Sequence, residues 1–303
     1  MANEELTLRK LEILAAFLEH GNLSNTAEHL GLSTVSVHRA LHSLEDVLQF
    51  PLFRHEGRIL KPLDSARLLG QRAQVMLREL DEAVRQARNA VGFGSCQIRL
   101  GTLYSLTVST VPRLIAQLKA RCSPLTVQLS MGSNDELLLA LRSMELDAAV
   151  IEIGDGLETR GLRVVPLFED PLYLASPPDF VPPDPLCADL RDYRDVKFLV
   201  LANGFATYRS FRQAFEPSGF QPEPVMSVGD IFSLGNLIHG GVGHALLPGR
   251  VRPLFEGRMQ FLPLQAPYCI MQRIGMVQLA RRGDDAALDM LATELIECGL
   301  KHD

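Results

Sequence analysis

Residues 23–45 read LSNTAEHLGLSTVSVHRALHSLE and contain two short helical patterns separated by a glycine. Ser24 or Asn25 can cap the first helix by accepting a hydrogen bond from an unpaired backbone amide, and Glu28 follows Asn25 at the spacing of a capping box. Gly31 tolerates the left-handed backbone conformation with which many helices end. The stretch therefore predicts a short helix that stops before Gly31.

The second helical pattern follows Ser33, which is placed to cap it. Apolar residues then recur at spacings of four, three and four, so one stripe of the helix is buried; they are Val37, Leu41, Leu44 and Leu48. The opposite face is mostly polar and carries Thr34, Val35, Ser36, His38, Arg39, His42 and Ser43. A capped helix with a polar face after a tight turn is typical of a recognition helix, which enters the DNA major groove. The alternative is an amphipathic helical hairpin that contacts no DNA.

The next segment, residues 51–75, favours DNA binding over a plain hairpin because it is basic. It holds five cations against two anions, a local net charge of +3. Glu56-Gly57 predicts a turn between two short strands, at 52–55 and 58–60, which together form a wing. Arg54 and Arg58 on such a wing would neutralise phosphates or enter the minor groove.

A long helix is predicted from about Asp64 to Val91, and it ends at a linker, residues 92–95. Small and apolar side chains recur along it at spacings of four and three, as in a coiled coil; they are Leu69, Ala73, Met76, Leu80, Ala83 and Ala87. Such a stripe is often core, but on a helix between two domains it favours dimerisation. We therefore expect a homodimer.

Beyond the linker, short apolar strands alternate with helices, which predicts a parallel sheet with helices on both faces. The predicted strands are 97–101, 126–131, 147–153, 198–201, 224–228 and 244–248. The predicted helices are 111–120, 134–143, 207–215, 231–239 and 284–298. The proline-rich residues 171–185 are predicted to be a connection.

Hydroxyl-bearing turns follow three of these strands, where free amides and helix dipoles favour bound anions. The expected contacts to a small ligand are Ser105, Thr107, Ser133, Asn134 and Thr207. Arg209 or His244 would supply a cation to an acidic ligand. The alternatives are that each hydroxyl only caps its own helix, and that each cation is a solvated or core side chain.

Composition restricts the classes of protein to which this chain can belong. The net charge is −6 over 303 residues, so the basic character of the wing is local and indiscriminate coating of nucleic acid is not expected. The five cysteines are scattered without a Cys-x-x-Cys motif, which argues against disulfide frameworks and fits a cytoplasmic protein. The acidic start is unlike a signal peptide and no apolar run is long enough to span a membrane, so no membrane partner is expected.

Two further patterns have plain explanations. The glycine-rich run 239–243 follows a helix and precedes a strand, the reverse of a dinucleotide-binding loop, so we expect it to be structural. His38 and His42 stand four residues apart on one helix face, a spacing that suits a metal ion, but no third ligand is near in sequence. We therefore expect no metal ion and no cofactor.

The order of these features resembles the LysR-type transcriptional regulators along the whole chain. The resemblance rests on the helix-turn-helix, on Leu44-Glu45, on Leu52-Phe53-Arg54 and on the long helix that follows. The chain departs from the family pattern at Thr34-Val35 and at His38, which alters the base preference more than the fold. It departs again at residues 61–64, after the wing.

The resemblance implies an α/β protein in several parts. These are a winged helix-turn-helix DNA-binding domain at 1–63, a dimerisation linker helix at 64–91, a hinge at 92–95, and a two-lobed effector domain like a periplasmic binding protein at 96–303. Lobe one would comprise about 96–167 and 271–303, and lobe two about 168–270, with crossings near 166–168 and 268–273. The implied partners are a double-stranded DNA operator, a small-molecule effector between the lobes, a second copy or a tetramer of the chain, and RNA polymerase.

The resemblance also implies how DNA is read. Bases would be contacted from the polar face of the recognition helix by Thr34, Val35, His38, Arg39 and His42, and Ser36 would contact DNA from the same face. Phosphates or the minor groove would be held by Ser33, Arg54 and Arg58. Effector binding would shift the equilibrium between lobe arrangements and so change the spacing of the paired DNA-binding domains.

Within the family, residues 33–45 and 53–58 are similar to regulators of malonate utilisation, which implies malonate or another small carboxylic acid as the effector. Two other classes of protein remain as alternatives. A solute-binding protein would explain residues 96–303 but not the helix-turn-helix. An enzyme would need a nucleophile elbow, a phosphate loop or a paired histidine and carboxylate, and the sequence shows none of these patterns.

Overall fold

A computed structural model describes residues 5–57, 59–90, 96–121, 125–282 and 285–299 of the chain. The chain divides into two compact units, Met1–Gly94 and Ser95–Asp303. Arg58, Val91 and the linker expected at 92–95 lie outside the described residues. Among the residues that are described, no helix has both the length and the apolar character needed to cross a lipid bilayer.

The N-terminal unit begins with a helix that is missing from the sequence-based prediction. Its elements are α1 (Leu8–His20), α2 (Leu23–Leu30), α3 (Thr34–Leu48), the hairpin strands β1 (Phe53–Glu56) and β2 (Ile59–Pro62), and α4 (Asp64–Ala90). Leu14 and Phe17 of α1 are fully buried, and Phe17 lies edge-on to Phe53 with ring centroids 5.3 Å apart. Burial stabilises by roughly 1.5–3 kcal/mol for each large apolar side chain, so α1 is part of the core of this unit.

Helix α2 starts earlier than the sequence predicts. Asn22, rather than Ser24 or Asn25, is its N-cap, and Asn22 Oδ1 accepts a hydrogen bond from the backbone amide of Asn25 at 2.8 Å. The predicted capping box with Glu28 is therefore wrong. Asparagine, serine and aspartate cap helices about equally well, so Asn22, Ser24 and Asn25 could not be ranked from sequence.

The linker helix α4 has two different surfaces. Ala66 and Ala73 are buried near its beginning, and a side chain added at Gly70 would collide with Leu18 of α1. Further along, large apolar side chains are 43–53% exposed; they are Met76, Leu80 and Val84. The first half of the helix therefore contributes to the core, whereas the second half displays an apolar surface.

The C-terminal unit is an α/β structure. Its strands are β3 (Cys96–Thr102), β4 (Leu125–Met131), β5 (Ala148–Glu152), β6 (Leu162–Ser176), β7 (Leu199–Leu201), β8 (Met226–Val228), β9 (Ala245–Pro248), β10 (Gln260–Pro263) and β11 (Met271–Leu279). Its helices are α5 (Thr110–Arg121), α6 (Asn134–Arg142), α7 (Ala206–Phe215), α8 (Ile231–His239) and α9 (Ala286–Gly299). The sequence-based prediction lacks β6, β10 and β11.

The main sheet is mixed rather than parallel. Strand β3 pairs in parallel with β4 and β5, as the alternation of strands and helices predicts. Strand β11, however, pairs antiparallel with β5 and β6. The order is β10-β6-β11-β5-β3-β4, with β9 also paired to β6. The prediction of a parallel sheet is wrong because β11, which the sequence did not predict, enters the middle of the sheet in the direction opposite to β5.

Strand β6 overturns the prediction that residues 171–185 are a connection, because it continues to Ser176. Pro166 lies where the register with β11 shifts, and a bulge tolerates a residue that has no amide donor. After Pro171, the amide of Leu172 still donates to the backbone carbonyl just before β11, at 3.0 Å. The prolines remove only their own amides from the ladder, so the strand does not end.

Strand β6 takes part in two hydrophobic cores, which define two lobes. One core gathers β3, β5, the first half of β6, α5, α6 and α9. The other comprises adjoining apolar clusters around β7, β9, α7, α8 and the second half of β6. The space between the lobes therefore lies where β6 and the start of β11 pass from one core to the other.

The glycine-rich run 239–243 has a backbone role. Gly241 has a φ of 78°, in the left-handed region. A Cβ atom on Gly243 would lie 2.6 Å from the backbone oxygen of Lys197. Only glycine allows this approach of two backbone segments, which agrees with the structural explanation expected from sequence.

Candidate functional site

Helix α3 presents an open polar face on the N-terminal unit. It is capped by Ser33, whose Oγ accepts a hydrogen bond from the amide of Ser36 at 3.1 Å. Val37, Leu41 and Leu44 form the buried stripe, as their spacing predicts. On the opposite face Thr34, Val35, Ser36 and Arg39 are exposed, and His38 and His42 are half-buried. This face offers hydroxyl, imidazole and guanidinium groups, which can bond to base edges in a major groove.

The wing holds its described cations in a cluster of ion pairs. Arg54 Nη2 lies 2.8 Å from Glu56 Oε1, and Lys61 Nζ lies 2.5 Å from Glu56 Oε2. Hydrogen bonding from Lys61, assisted by the charge of both cations, holds the pKa of Glu56 below its ordinary value. All three side chains are exposed, and exposed pairs are weak, so a DNA phosphate can compete with Glu56 for Arg54. The second predicted wing cation, Arg58, lies outside the described residues.

In the C-terminal unit, the buried guanidinium of Arg250 joins the two lobes. Its Nη1 donates to Asp170 Oδ2 at 2.7 Å and its Nη2 donates to Gln272 Oε1 at 2.9 Å. Its Nε donates to Ser105 Oγ at 2.8 Å. Ser105 follows β3 in lobe one, whereas Arg250 follows β9 in lobe two. A cation from the other lobe therefore engages Ser105, which the sequence predicts to contact a ligand.

Gln272 extends this network to helix α7. Gln272 Nε2 donates to Ser210 Oγ at 3.2 Å and to Thr207 Oγ1 at 3.4 Å. Two of the predicted ligand contacts, Ser105 and Thr207, are thus brought into one hydrogen-bond network, although not into direct contact. The side chains between them are Arg250 and Gln272.

A pocket of about 760 Å³ opens beside the network, between the lobes. It is walled by the end of β5 and the turn after it in lobe one, by α7 in lobe two, and by β6 and the start of β11. Its charged lining residues are Glu152, Asp155, Glu169, Arg209, Arg212, Glu216 and Arg273. A volume of this size is typical of small-molecule sites.

Arg209 of this pocket is loosely paired. Its Nη1 lies 3.5 Å from Asp135 Oδ1 and its Nη2 lies 3.7 Å from Glu152 Oε2, whereas strong charged hydrogen bonds span about 2.7–2.9 Å. Burial raises the pKa of Glu152, although the backbone amide of Gly154 and the charges of Arg209 and Arg273 act in the opposite direction. The pocket therefore holds a cation whose own carboxylate partners bind it weakly.

Three other predicted ligand contacts form hydrogen bonds within the fold. Ser133 caps α6, because its Oγ accepts from the amide of Glu136 at 3.3 Å while Glu136 Oε2 accepts from the amide of Ser133 at 2.8 Å. Asn134 is fully buried and donates to the backbone oxygen of Glu152 at 2.7 Å. Thr107 donates to a backbone oxygen three residues earlier, at 2.7 Å. Ser133 thus caps its own helix, the alternative that the sequence left open, whereas Asn134 connects α6 to β5 and Thr107 stabilises its own turn.

His244, the other predicted cation, does not line the pocket that contains Arg209. His244 lies in the core of lobe two, where Nδ1 is 2.9 Å from Ser176 Oγ and the ring centroid is 4.5 Å from that of Phe180. Burial lowers the pKa of this imidazole, which favours its neutral form. His244 precedes strand β9, whereas Arg250 follows it, and ligands bind beyond the carboxyl ends of such strands.

Two family models match the chain. The model described as "Bacterial regulatory helix-turn-helix protein, lysR family" matches residues 8–67. The model described as "LysR substrate binding domain" matches residues 94–297.

The chain belongs to the LysR family of transcriptional regulators.

Individual LysR relatives agree with this assignment. The chain is 46% identical over 293 residues to a malonate utilization transcriptional regulator of Klebsiella pneumoniae, which covers 96% of this chain and 95% of the relative. The crystal structure of CbnR, a LysR family transcriptional regulator, matches with a TM-score of 0.73 and 17% identity, over 97% of this chain and 99% of CbnR. Full-length CbnR complexed with its target DNA matches with a TM-score of 0.71 and 17% identity, over 98% and 99% of the two chains. These two structures support the fold.

As a LysR regulator, the chain is a DNA-binding transcriptional regulator with an effector-binding domain, and it is not an enzyme. The helix-turn-helix match contains the polar face of α3 and the wing. The substrate-binding match contains the Arg250 network and the pocket at Arg209.

Sequence reasoning missed several residues of the LysR effector domain that meet between the lobes. Arg250 had an available signal, because it follows Leu247-Pro248-Gly249 at the carboxyl end of a predicted strand, the position that drew attention to Ser133. Asp170 and Gln272 had no such signal. They lie on β6 and β11, strands that the sequence did not predict.

Proposed function

We propose that this LysR regulator controls transcription in response to a small dicarboxylate such as malonate, bound at Arg209 in the pocket between the lobes. The observation that carries the proposal is the loose pairing of Arg209, at 3.5 and 3.7 Å from its two carboxylate partners. The 46% identity to a malonate utilization transcriptional regulator supports the choice of ligand.

An anion suits this pocket because two of its cations, Arg209 and Arg273, form only weak ion pairs with carboxylates of the chain. Arg273 pairs with Asp155, whose side chain is 98% exposed, and such exposed pairs contribute only about 0–1 kcal/mol. Burial raises the pKa of Glu152. The negative charge of a bound anion would raise this pKa further, so Glu152 would take up a proton and release Arg209 to the ligand. A dicarboxylate can therefore replace these partners and bridge Arg209 to Arg273.

Ligand binding at this position would act on the arrangement of the lobes. A ligand shifts a conformational equilibrium only by the difference between its affinities for the two states. A molecule that contacts both α7 of lobe two and the turn after β5 in lobe one binds more tightly to the lobe arrangement that allows both contacts. Ser105 and Thr207 then take part through the Arg250 network, rather than by direct contact with the ligand.

On DNA, the polar face of α3 reads the operator. The residues assigned to bases are Thr34, Val35, His38, Arg39 and His42. Ser36 contacts DNA from the same face, and Ser33, Arg54 and Arg58 hold phosphates or the minor groove. Two copies of the chain pair through the exposed apolar half of α4, which presents Met76, Leu80 and Val84, and so place two recognition helices in successive major grooves. The dimer, or a pair of dimers, acts at a promoter in the cytoplasm, where RNA polymerase is its further partner.

The ligand assignment is tested by thermal unfolding of the full-length protein with malonate, succinate, acetate, amino acids and aromatic acids. A ligand at a hundred times its Kd should stabilise by about 2.7 kcal/mol, which corresponds to roughly 2–4 °C for each kcal/mol in a domain of this size. Malonate should raise the melting temperature, and acetate should not.

The position of the ligand is tested with two arginine variants. Arg209→Gln should abolish the malonate shift, whereas Arg160→Gln, at an exposed arginine that does not line the pocket, should retain it. A shift that survives in Arg209→Gln would contradict the site. If no dicarboxylate shifts the wild-type protein, the ligand class is wrong and the DNA-binding assignment is unaffected.

A further inference from the structure

Three histidines meet on the surface of the N-terminal unit. His38 and His42 lie one turn apart on α3, and His55 comes from the wing strand β1. A ring nitrogen from each lies within 4.8 Å of the other two. The rings of His42 and His55 are stacked with their centroids 6.0 Å apart. The wing therefore supplies the third imidazole that was not near in sequence.

Glu45 orients one of these imidazoles. Its Oε2 lies 3.1 Å from His42 Nδ1, while its Oε1 accepts hydrogen bonds from the amides of Leu52 and Phe53 at 2.7 and 3.0 Å. A carboxylate that accepts from Nδ1–H of a neutral histidine leaves Nε2 with its lone pair, and metal-binding histidines commonly have this partner. Because the base of the wing holds Glu45 in place, His42 is directed before any ion arrives.

We propose that His38, His42 and His55 form a binding site for a divalent transition metal ion of the Zn²⁺ class, which links the recognition helix to the wing. Three imidazoles with a water molecule in the fourth position are a recognised donor set for Zn²⁺. Imidazole nitrogens also suit Ni²⁺, Cu²⁺ and Co²⁺, whereas Mg²⁺ and Ca²⁺ require oxygen ligands that these three side chains do not provide.

The geometry needs only a small closure. Tetrahedral Zn²⁺ with bonds of about 2.0–2.1 Å brings ligand nitrogens to roughly 3.4 Å from one another, compared with separations of up to 4.8 Å in this structure. His55 is exposed, and His38 and His42 are half-buried, so rotation of their side chains can close the gap without disturbing the core. A bound ion would occupy two imidazoles of the DNA-reading face, and metal and operator would therefore compete.

The site is tested by titrating Zn²⁺ into the full-length protein against a chromophoric chelator, without DNA or effector. The wild type should bind one equivalent of Zn²⁺, and His55→Ala should lower the affinity for that ion by more than about 100-fold. Loss of an outer-shell partner alone lowers metal affinity by about 10–100-fold. The matched control is His29→Ala, at an exposed histidine whose ring lies 4.4 Å from that of His20. Among the described residues, no third metal-binding side chain joins His20 and His29, so the control should bind Zn²⁺ as the wild type does.

Cysteines can also bind zinc, so the identity of the ligands is checked with Co²⁺. Coordination by three imidazoles predicts weak visible bands without intense thiolate charge-transfer absorption, and these bands should disappear in His55→Ala and in His38→Ala. Circular dichroism establishes that both variants are folded. Unchanged Zn²⁺ affinity in both variants, or a thiolate spectrum in the wild type, would overturn the proposal. Neither result bears on the effector proposed above.

Discussion

Arg250 and Asp170 form a buried ion pair, in which Nη1 lies 2.7 Å from Oδ2 and the two side chains are only 3% and 9% exposed. Burial lowers the pKa of the guanidinium, and the charge of Asp170 opposes this effect. Arginine nevertheless remains protonated in proteins. Because Arg250 also donates to Ser105, the pair connects the turn after β9 to lobe one.

Replacing Arg250 should cost far more stability than replacing a surface arginine. Arg250→Met leaves the Asp170 carboxylate buried without its cation and should destabilise the effector domain by about 3–5 kcal/mol. Arg160→Met, at an exposed position, should change the free energy of unfolding by no more than about 0.5 kcal/mol. Urea denaturation measures both free energies of unfolding. Equal losses of stability in the two variants would contradict the proposed contribution of the buried ion pair.

Two aspartates that pair with arginines should differ because only one of them is buried. Asp147 is 1% exposed and lies 2.7 Å from Arg99 Nη2 and 2.5 Å from Arg282 Nη1, whereas Asp155 is 98% exposed and lies 2.5 Å from Arg273 Nη2. Asp147→Asn should cost about 3–5 kcal/mol, and Asp155→Asn at most about 1 kcal/mol. Similar losses by urea denaturation would contradict the role of burial.

Asp147 should also make the stability of the protein depend on pH. Burial alone would raise the pKa of Asp147, but hydrogen bonds from Arg99 and Arg282 lower it below 3.8. Its contribution to stability is therefore present above pH 3.8 and is lost as the pH falls through the lower, folded-state pKa. The difference in the free energy of unfolding between wild type and Asp147→Asn should therefore become smaller as the pH falls over that acidic range.

Glu152 should show the opposite dependence. Burial raises its pKa above 4.5, so the folded state holds the proton more tightly than the unfolded state does. At pH values above the folded-state pKa, the ionised carboxylate lowers the free energy of unfolding by its full amount. This destabilisation disappears as the pH falls towards 4.5 and below. Glu152→Gln should be at least as stable as wild type near neutral pH and should lose this advantage on acidification. Unfolding at about pH 7 and about pH 5 tests this, and a constant difference would refute the raised pKa.

Two exposed arginines of the DNA-reading unit should differ in their effect on specificity. Arg39→Ala should weaken binding to an operator selected from random DNA by about 1–3 kcal/mol and relax the base preference at one position. Arg54→Ala should weaken binding to all sequences and reduce the slope of log affinity against log salt by about 1. Affinities measured over several salt concentrations separate the two. An equal loss on specific and random DNA for Arg39→Ala would contradict its assignment to bases.

The helix-turn-helix could be predicted from sequence because its boundaries depend on near neighbours. Gly31 ends α2 and Ser33 caps α3 through contacts within a few residues, and the buried stripe of α3 follows from the helical period. Asn22 was missed only because adjacent residues cap a helix equally well. Helix α1 was overlooked although it has a regular apolar pattern, so that omission has no deeper physical cause.

The effector pocket could not be predicted in the same way, because its residues come from distant segments. Two of the hydroxyls predicted at the ends of strands, Ser105 and Thr207, join the Arg250 network, and their contact with a ligand stays a prediction. At Ser133 and Thr107 the hydroxyl forms a local hydrogen bond, a role that the sequence alone does not separate from ligand binding. His244 lies just before β9 and Arg250 beyond its end, a distinction that depends on the strand boundaries of the folded domain.

The sequence by itself determined the elements whose energetics are local, namely the capped helices, the turn at Gly31 and most of the alternating strands. Tertiary structure alone decided which groups meet across the fold. It paired β11 antiparallel with β5 and brought Arg250 to Asp170, 80 residues away. It also brought His55 beside His38 and His42. Periodicity and capping preferences reach only a few residues along the chain, whereas these contacts depend on the burial of whole strands and helices against one another.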